Sequence, residues 1–315
     1  MERPESSGTY KGKHVMCKEI SEITSVADLL QESIKTEKDF FWDPGMGESQ
    51  FWYRGQSDEK WELQPAVLRK KHANMIHRME SAKSRNRWNN VLENERTINR
   101  RFRSEAYPHL DDIPAIRMYF AAQHYGLPTR LLDWSLSPLV AMYFACRDES
   151  NIKKDGCVYR LFPRNLPDIF EGQPHAPPSP FDDIVSTYRP IVMEFIESCL
   201  FDSNPPKTLQ NTPIVPIIPT IIAGRITAQV SRFTFHAPVA KKNSNRIQPP
   251  QSLQKIFQGK KHSLVKYIVP ASAKIMILAE LNRLGTHGYS LFPDLDNLAL
   301  HLKAIYCSHL YLPFR

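Results

Sequence analysis

The sequence predicts an α+β fold, in which helices surround small mixed or antiparallel sheets. Segments with apolar residues at helical spacing flank a few irregularly placed strand-like runs, and no regular βαβ rhythm connects them. No internal repeat is visible. The 315 residues, 42% of them hydrophobic, are enough for one large domain with a sizeable core.

The first half of the chain alternates helix and strand. Apolar spacing predicts a helix over residues 21–42, with Ser21 or Thr24 as its N-cap. Aromatic and β-branched runs predict strands at FWYRGQ (51–56) and RLLDW (130–134). Further helices are predicted within 75–106, from about 114 to 125 before Gly126 and Pro128, and over 138–148, where Ser137 caps a helix that begins with proline.

The second half contains a long proline-rich segment. After the strand GCVYRLF (156–162), residues 163–220 are predicted to be an irregular insertion with one helical piece, RPIVMEFIESCLF. The alternation in RITAQVSRFTFH (225–236) predicts a half-buried strand, and HSLVKYIVP (262–270) predicts another. A helix over 272–284 ends at Gly285, and a last helix follows the turn after residue 289.

Charge and cysteine content restrict the class of protein. The net charge of +8 suits a polyanionic partner such as nucleic acid, although a basic soluble surface accounts for it equally well. The five cysteines are far apart and form no zinc or redox pair. No leader-like segment is present, and the longest apolar runs are too short to span a bilayer. We therefore expect a cytoplasmic protein with reduced thiols and no membrane contact.

The common cofactor motifs are missing. GMGESQ (45–50) lacks the third glycine of a dinucleotide fingerprint, and no phosphate-binding GxxxxGK[ST] loop occurs. HExxH, GxSxG and metal-ligand spacings are absent too, so no metal is expected. If a nucleotide binds, it binds by another route.

Arg54 interrupts an otherwise apolar strand, and a buried arginine needs a compensating group. One interpretation is an internal ion pair of Asp133 with Arg54 or with Arg130. The other is a cleft in which the arginine fork holds a ligand's pyrophosphate, while an aromatic ring stacks on the ligand. The candidates for that ring are Tyr53, Tyr125, Trp134 and Tyr143. Both interpretations stay open on the residues alone.

Several segments together resemble the FRG domain, a bacterial family named for its Phe/Tyr-Arg-Gly stretch. They are YRGQ (53–56), AQHYGLPTRLLDWSLSPLVAMYFAC (122–146), RITAQVSRFTFH (225–236) and LNRLGTHGYSLFPDLDNLALHL (281–302). The resemblance implies an FRG domain over 25–303 with an insertion at 163–220, a polar segment over 1–24 and a packed C-terminal tail over 304–315. It also implies a context of mobile elements, toxins and phage defence.

A weaker similarity is to the ADP-ribosyltransferase superfamily. Arg54 in WYRG resembles the residue that holds NAD, and Tyr143-Phe144-Ala145 resembles the wall of the nicotinamide pocket. The strand RITAQ would be the last one, but it offers Gln229 where most such transferases have glutamate. Gln229 stabilises positive charge less well, so the expected substitutes are Asp133, Glu194 or Glu280.

The resemblance implies a toxin-like transferase that moves ADP-ribose from NAD to a macromolecule. The basic charge balance and the Arg- and Lys-rich helices at 83–103 favour a nucleic acid as the acceptor, RNA before DNA. The catalytic residues would be Arg54, Gln229 and Asp133. The NAD-binding residues would be Tyr53, Arg54, Gly55, Gln56, Tyr125, Arg130, Trp134 and Tyr143. A cognate antitoxin protein would cover the site at the insertion. The alternatives are a non-catalytic module that senses a phosphate-bearing ligand or phage component, and an NAD glycohydrolase.

Overall fold

The computed structural model describes residues 19–37, 51–69, 87–107, 113–163, 166, 184–201, 214–217, 219, 227–240, 247–248, 252–257 and 263–306. These residues form a seven-stranded sheet, a two-stranded ribbon and a set of helices that alternate with the strands along the chain. The predicted α+β class is confirmed. The main sheet is larger than the small sheets that the sequence predicts.

The main sheet has the strand order β1-β9-β4-β2-β3-β6-β5. Six of its strands pair antiparallel, and β1 adds to β9 in parallel at one edge. The ribbon pairs β7 with β8. The strands are β1 (Glu19–Glu22), β2 (Trp52–Gln56), β3 (Leu131–Ser135), β4 (Gly156–Leu161), β5 (Ile214–Ile217), β6 (Ser231–His236), β7 (Val239–Ala240), β8 (Ile247–Gln248) and β9 (Leu264–Val269).

Most of the helices in the described residues follow the apolar spacing of the sequence. They are α1 (Val26–Glu37), α2 (Arg87–Ala106), α3 (Ala115–His124), α4 (Pro138–Cys146), α5 (Ile184–Leu200), α6 (Leu253–Ile256), α7 (Lys274–Arg283), α8 (Gly288–Leu291) and α9 (Leu295–Tyr306). Ser137 caps α4 as predicted, because its hydroxyl accepts a hydrogen bond from the Val140 amide. Gly285 ends α7 with a φ of 76°.

The predicted start of the first helix is wrong. The predicted helix starts at Ser21, but Ser21 and Glu22 are the last two residues of β1, and α1 begins only at Val26. The cap is Ser25, not Ser21 or Thr24. Its hydroxyl accepts from the Asp28 amide at 3.1 Å, while the Asp28 carboxylate accepts from the Ser25 amide at 3.0 Å. Such a reciprocal pair satisfies two amides that the helix itself leaves open.

Two strand assignments also differ from the prediction. The proline-rich insertion contributes β5, which tolerates Pro216 because β5 lies at the edge of the sheet. The strand predicted over residues 225–236 covers only Ser231–His236. The described residues just before it, 227–230, form a helical turn, and Val230 has a φ of 45°.

The structure tests the expectations about free thiols and membrane-spanning helices only for the described residues. Cys146, Cys157 and Cys199 are buried free thiols, and burial raises the pKa of Cys146 and Cys157 to about 12. Cys17 and Cys307 lie outside the described residues. Within the described ranges, no helix combines the length and the apolar character that crossing a membrane requires.

A buried polar chain runs through the core from β3 to β6. The Trp134 indole donates to the Thr234 hydroxyl at 3.1 Å, and this hydroxyl lies 3.1 Å from Nε2 of His236. An indole can only donate, so the hydroxyl is free to donate its own hydrogen to Nε2. Burial first, and then the positive charges of Arg130 and Arg54, lower the pKa of His236 to about 3. His236 is therefore neutral in the folded protein.

We expect this histidine to make the protein less stable in acid. Its pKa is lower in the folded than in the unfolded chain, so its stabilising contribution is present above about pH 6.5 and is lost as pH falls toward 3. Between pH 7 and pH 5 the loss amounts to about 2 kcal/mol. Urea unfolding at both pH values measures it. The His236→Gln variant should show a correspondingly smaller loss over the same interval, whereas an equal loss in both proteins would contradict the assignment.

Candidate functional site

Arg54 lies where the backbone pairing between β2 and β3 ends. Strands β2 and β3 share a single backbone pair, Tyr53 opposite Ser135, whereas β2 pairs with β4 along its whole length. Beyond that pair, Nη1 of Arg54 donates to the main-chain oxygen of Asp133 at 2.6 Å. The guanidinium thus bridges two strands whose backbones no longer pair there.

The charge of Arg54 is only partly compensated. Nη1 lies 3.7 Å from the Asp133 carboxylate, whose side chain is 55% exposed and whose two oxygens both accept from the Gln123 amide at 3.0 Å. The Arg54 side chain is 14% exposed, and its buried Nε has no hydrogen-bond partner among the described residues. Burial lowers the pKa of Arg54 to about 10 although Asp133 opposes this, so the group stays protonated at neutral pH. A buried, poorly paired cation favours an anion beside it.

A cleft of about 540 Å³ lies beside this arginine. Its walls come from the end of β2 and the loop after it, from the segment after the short helix Ala66–Leu68, and from the end of α4 and the turn that follows. The lining residues are Arg54, Gly55, Gln56, Ser57, Trp61, Arg69, Phe144, Arg147, Asp148 and Glu149.

Two further arginines line the cleft. Nε of Arg69 donates to the main-chain oxygen of Gln64 at 3.1 Å, and burial lowers the pKa of Arg69. The Arg147 guanidinium lies 4.6 Å from the ring centre of Phe292 and also contacts the ring of Tyr143. Neither arginine forms an ion pair within the part of the chain that the structure describes. Three guanidinium groups around one space make a site for a multiply charged anion.

Two carboxylates also line the cleft, those of Asp148 and Glu149. Asp148 accepts hydrogen bonds from Ser57 at 3.1 Å and from Asn151 at 2.6 Å, and it also caps the short helix after it. Burial raises the pKa of Asp148, but the hydrogen bonds from Ser150, Asn151 and Ser57 together outweigh this and lower it. Asp148 is therefore an ionised structural anchor. Glu149 is exposed, and its carboxylate has no partner among the described residues.

The structure brings part of the sequence-predicted set together. Arg54, Gly55 and Gln56 line the cleft, and Asp133 contacts Arg54. Gln123, on α3, completes this group by donating to the Asp133 carboxylate.

The four predicted stacking aromatics do not line the cleft. Tyr53 and Trp134 are buried in the core, in two different clusters of hydrophobic side chains. Tyr143 is also buried, and its ring supports Arg147. Tyr125 is exposed at the end of α3, away from the lining residues.

Arg130 forms an ion pair in the interior of the protein. Its Nε donates to the buried carboxylate of Glu95 at 2.8 Å, and its own amide donates to the Tyr119 hydroxyl at 3.0 Å. Tyr119 in turn donates to Glu95 at 3.2 Å. The predicted alternative of an Arg130 pair with Asp133 is therefore wrong, since the partner of Arg130 is Glu95 and that of Asp133 is Arg54.

Gln229 does not lie on a strand, which corrects its predicted position. It belongs to the turn before β6, where its amide donates to the main-chain oxygen of Leu291 at 3.1 Å. It does not line the cleft. Of the predicted substitutes, Glu194 is exposed on α5, and Glu280 accepts from the Val26 amide at the start of α1. Asp133 is the one that contacts Arg54.

Sequence reasoning missed Trp61, Arg147 and Glu149. Gly55 lets α4 pack directly on β2, so the polar residues that follow α4 arrive beside the residues that follow β2. The signal was a polar run, RDE (147–149), immediately after a strongly apolar helix. Its position relative to Arg54 depends on the packing of helix on sheet.

Comparison with known proteins gives one family. Residues 49–154 match the FRG domain. No match was found among curated proteins or among solved structures. The matched range contains Arg54, Asp133 and all the lining residues of the cleft. About a third of the chain therefore resembles the FRG domain, and the candidate site lies within that part.

Proposed function

We propose that this chain is a toxin-like, NAD-dependent ADP-ribosyltransferase that modifies a macromolecule, in anti-phage defence or a toxin-antitoxin system. The observation that carries the proposal is the partly compensated charge of Arg54, which lines one cleft together with two more arginines. The pyrophosphate of NAD supplies the two adjacent negative charges that such a group of guanidiniums favours. The cleft volume of about 540 Å³ is in the range of small-molecule sites.

In the proposed reaction, the bond between nicotinamide and the ribose carbon breaks, and nicotinamide leaves with the electron pair. A nucleophile of the acceptor then bonds to that carbon and releases its proton. Positive charge develops on the ribose during this exchange, so a carboxylate near it accelerates the step. Glu149 is our candidate, because its carboxylate lines the cleft without a partner in the described part of the chain. Asp133 has the supporting role of orienting Arg54.

RNA remains the preferred acceptor, on the strength of the net charge of +8. The arginines of α2 support this less than the sequence suggests. Glu93 pairs with both Arg96 and Arg100, and Glu105 pairs with Arg101. A cognate antitoxin that covers the cleft stays part of the proposal. The insertion that would bind it, residues 163–220, lies largely outside the described residues.

One observation favours a second function. The amide of Gln229 is bound to Leu291 outside the cleft, so the residue that corresponds to the transferase glutamate does not serve the site. A module that binds a phosphate-bearing ligand without turning it over needs the arginines but no such carboxylate. This module is the alternative that the experiment below must distinguish.

We expect the purified protein to transfer label from adenylate-labelled NAD to RNA in a cell extract. The label should be sensitive to RNase and resistant to protease, and nicotinamide should be released in proportion. Label sensitive only to protease would replace RNA with a protein acceptor. Free ADP-ribose without labelled macromolecule would indicate a glycohydrolase. NAD binding without nicotinamide release would contradict the transferase and favour the binding module.

The Glu149→Gln variant separates catalysis from binding in the same assay. It should bind NAD within about threefold of the parent but transfer about 100-fold more slowly, because the neutral amide stabilises positive charge less well. Glu197→Gln, which alters an exposed carboxylate on α5, is the matched control and should behave like the parent. Equal rates in all three proteins would remove Glu149 from the mechanism.

A further inference from the structure

Trp61 is an exposed aromatic residue in a polar cleft. Its side chain is 43% exposed, and it lines the same space as Arg54 and Arg69. Trp52 and Trp134, by contrast, are buried in the core. Leaving so large an apolar ring in contact with water costs free energy that a stacking ligand recovers.

The loop that carries Trp61 is held at several points. The main-chain oxygen of Ser57 accepts from the buried Lys274 at 2.8 Å, and the Asp58 carboxylate accepts from Lys154 at 2.9 Å. Closer to the tryptophan, its own amide donates to the main-chain oxygen of Asp58 at 3.2 Å.

Three more contacts complete this support. Glu59 donates through its amide to Asp155 at 2.8 Å and forms an ion pair with Lys266. The Leu63 amide donates to the Gln254 side chain at 3.0 Å. A loop tied to the turn before β4, to β9, to α6 and to α7 keeps the indole in place before any ligand arrives, which reduces the entropy lost on binding.

We propose that Trp61 stacks on the heterocyclic base of a nucleoside diphosphate group whose phosphates bind the arginines of the cleft. An arginine cluster alone recognises any pyrophosphate, whereas an adjacent flat aromatic surface selects ligands that also carry a base. This inference rests on the proposed function and adds the ligand class that the cleft prefers. It also replaces the predicted stacking residues with one that lines the cleft.

The test compares ADP with inorganic pyrophosphate on the full-length protein by calorimetry. The Trp61→Leu variant should bind ADP about 10- to 100-fold more weakly and bind pyrophosphate within about twofold of the parent. Trp61→Phe keeps an aromatic face and should recover part of the lost affinity. Tyr107→Leu, which removes an exposed aromatic side chain at the end of α2, is the control and should change neither affinity.

The outcomes separate the two proposals. If ADP and pyrophosphate bind the parent and Trp61→Leu weakens only ADP, the stacking role holds. If both ligands bind and Trp61→Leu changes neither, stacking is wrong while the anion site stands. If neither ligand binds the folded parent protein, the proposed function and the stacking role both fail.

Discussion

Arg54→Met is expected to weaken pyrophosphate and NAD binding by about 100-fold, since charge-assisted hydrogen bonds contribute about 1.5–3 kcal/mol each. Methionine is nearly as long but uncharged, so it removes the guanidinium without leaving a large cavity. Stability should change by less than about 1.5 kcal/mol, because the cost of burying a partly paired charge disappears together with the bond to Asp133. Calorimetry measures the affinity, and urea unfolding measures the stability.

Two further variants define what the guanidinium contributes. Arg54→Lys retains the charge but loses the planar fork, so we expect an intermediate affinity. Arg101→Met removes an exposed arginine of α2 that pairs with Glu105, and it should leave ligand affinity unchanged. If Arg54→Met folds and binds as tightly as the parent protein, Arg54 is only a structural bridge between β2 and β3.

Gly55→Ala is expected to be the most destabilising single substitution that we propose. A Cβ atom at Gly55 would lie 1.8 Å from the main-chain oxygen of Ala141 and 2.6 Å from the amide nitrogen of Ala145. Both atoms belong to the backbone of α4, so no side chain can rotate away, and the helix must move off the sheet. We expect a loss of more than about 4 kcal/mol or failure to fold, by urea unfolding and circular dichroism.

Gly126→Ala is the matched control for this substitution. Gly126 has a φ of 85°, but an added Cβ would meet nothing within 4 Å. It therefore measures the backbone cost of replacing a glycine without any steric overlap, for which we expect about 1 kcal/mol. If the two variants lose similar stability, the close packing of α4 on β2 does not depend on Gly55.

Arg54 and Gly55 are neighbours in the YRG stretch but have different structural roles. Gly55 has no side chain, so the backbone of α4 can approach the strand closely at this position. For Arg54 the sequence left an ion pair and a ligand clamp open. The geometry shows a weak ion pair and, in the same side chain, a nitrogen without a partner among the described residues, so the two interpretations are compatible.

Local pattern was enough for most of the helices and strands. Strand β2, the cap of α4 at Ser137 and the end of α7 at Gly285 all follow from residue preferences that act within a few positions. The errors arose where neighbouring elements outweigh local preference. Pro216 joins a strand because it pairs at a sheet edge, and Gln229 leaves the strand pattern where the chain turns into β6.

The sequence by itself determined the α+β class, the resemblance of residues 49–154 to the FRG domain and the prominence of Arg54, because these depend on residue type and short-range order. Only the tertiary structure determined which charged side chains contact one another. It paired Arg130 with Glu95 rather than with Asp133, and it placed Arg69, Arg147 and Trp61 around Arg54. Long-range contacts of this kind depend on how α4 packs against β2 and how the strands are ordered, which no local spacing of residues encodes.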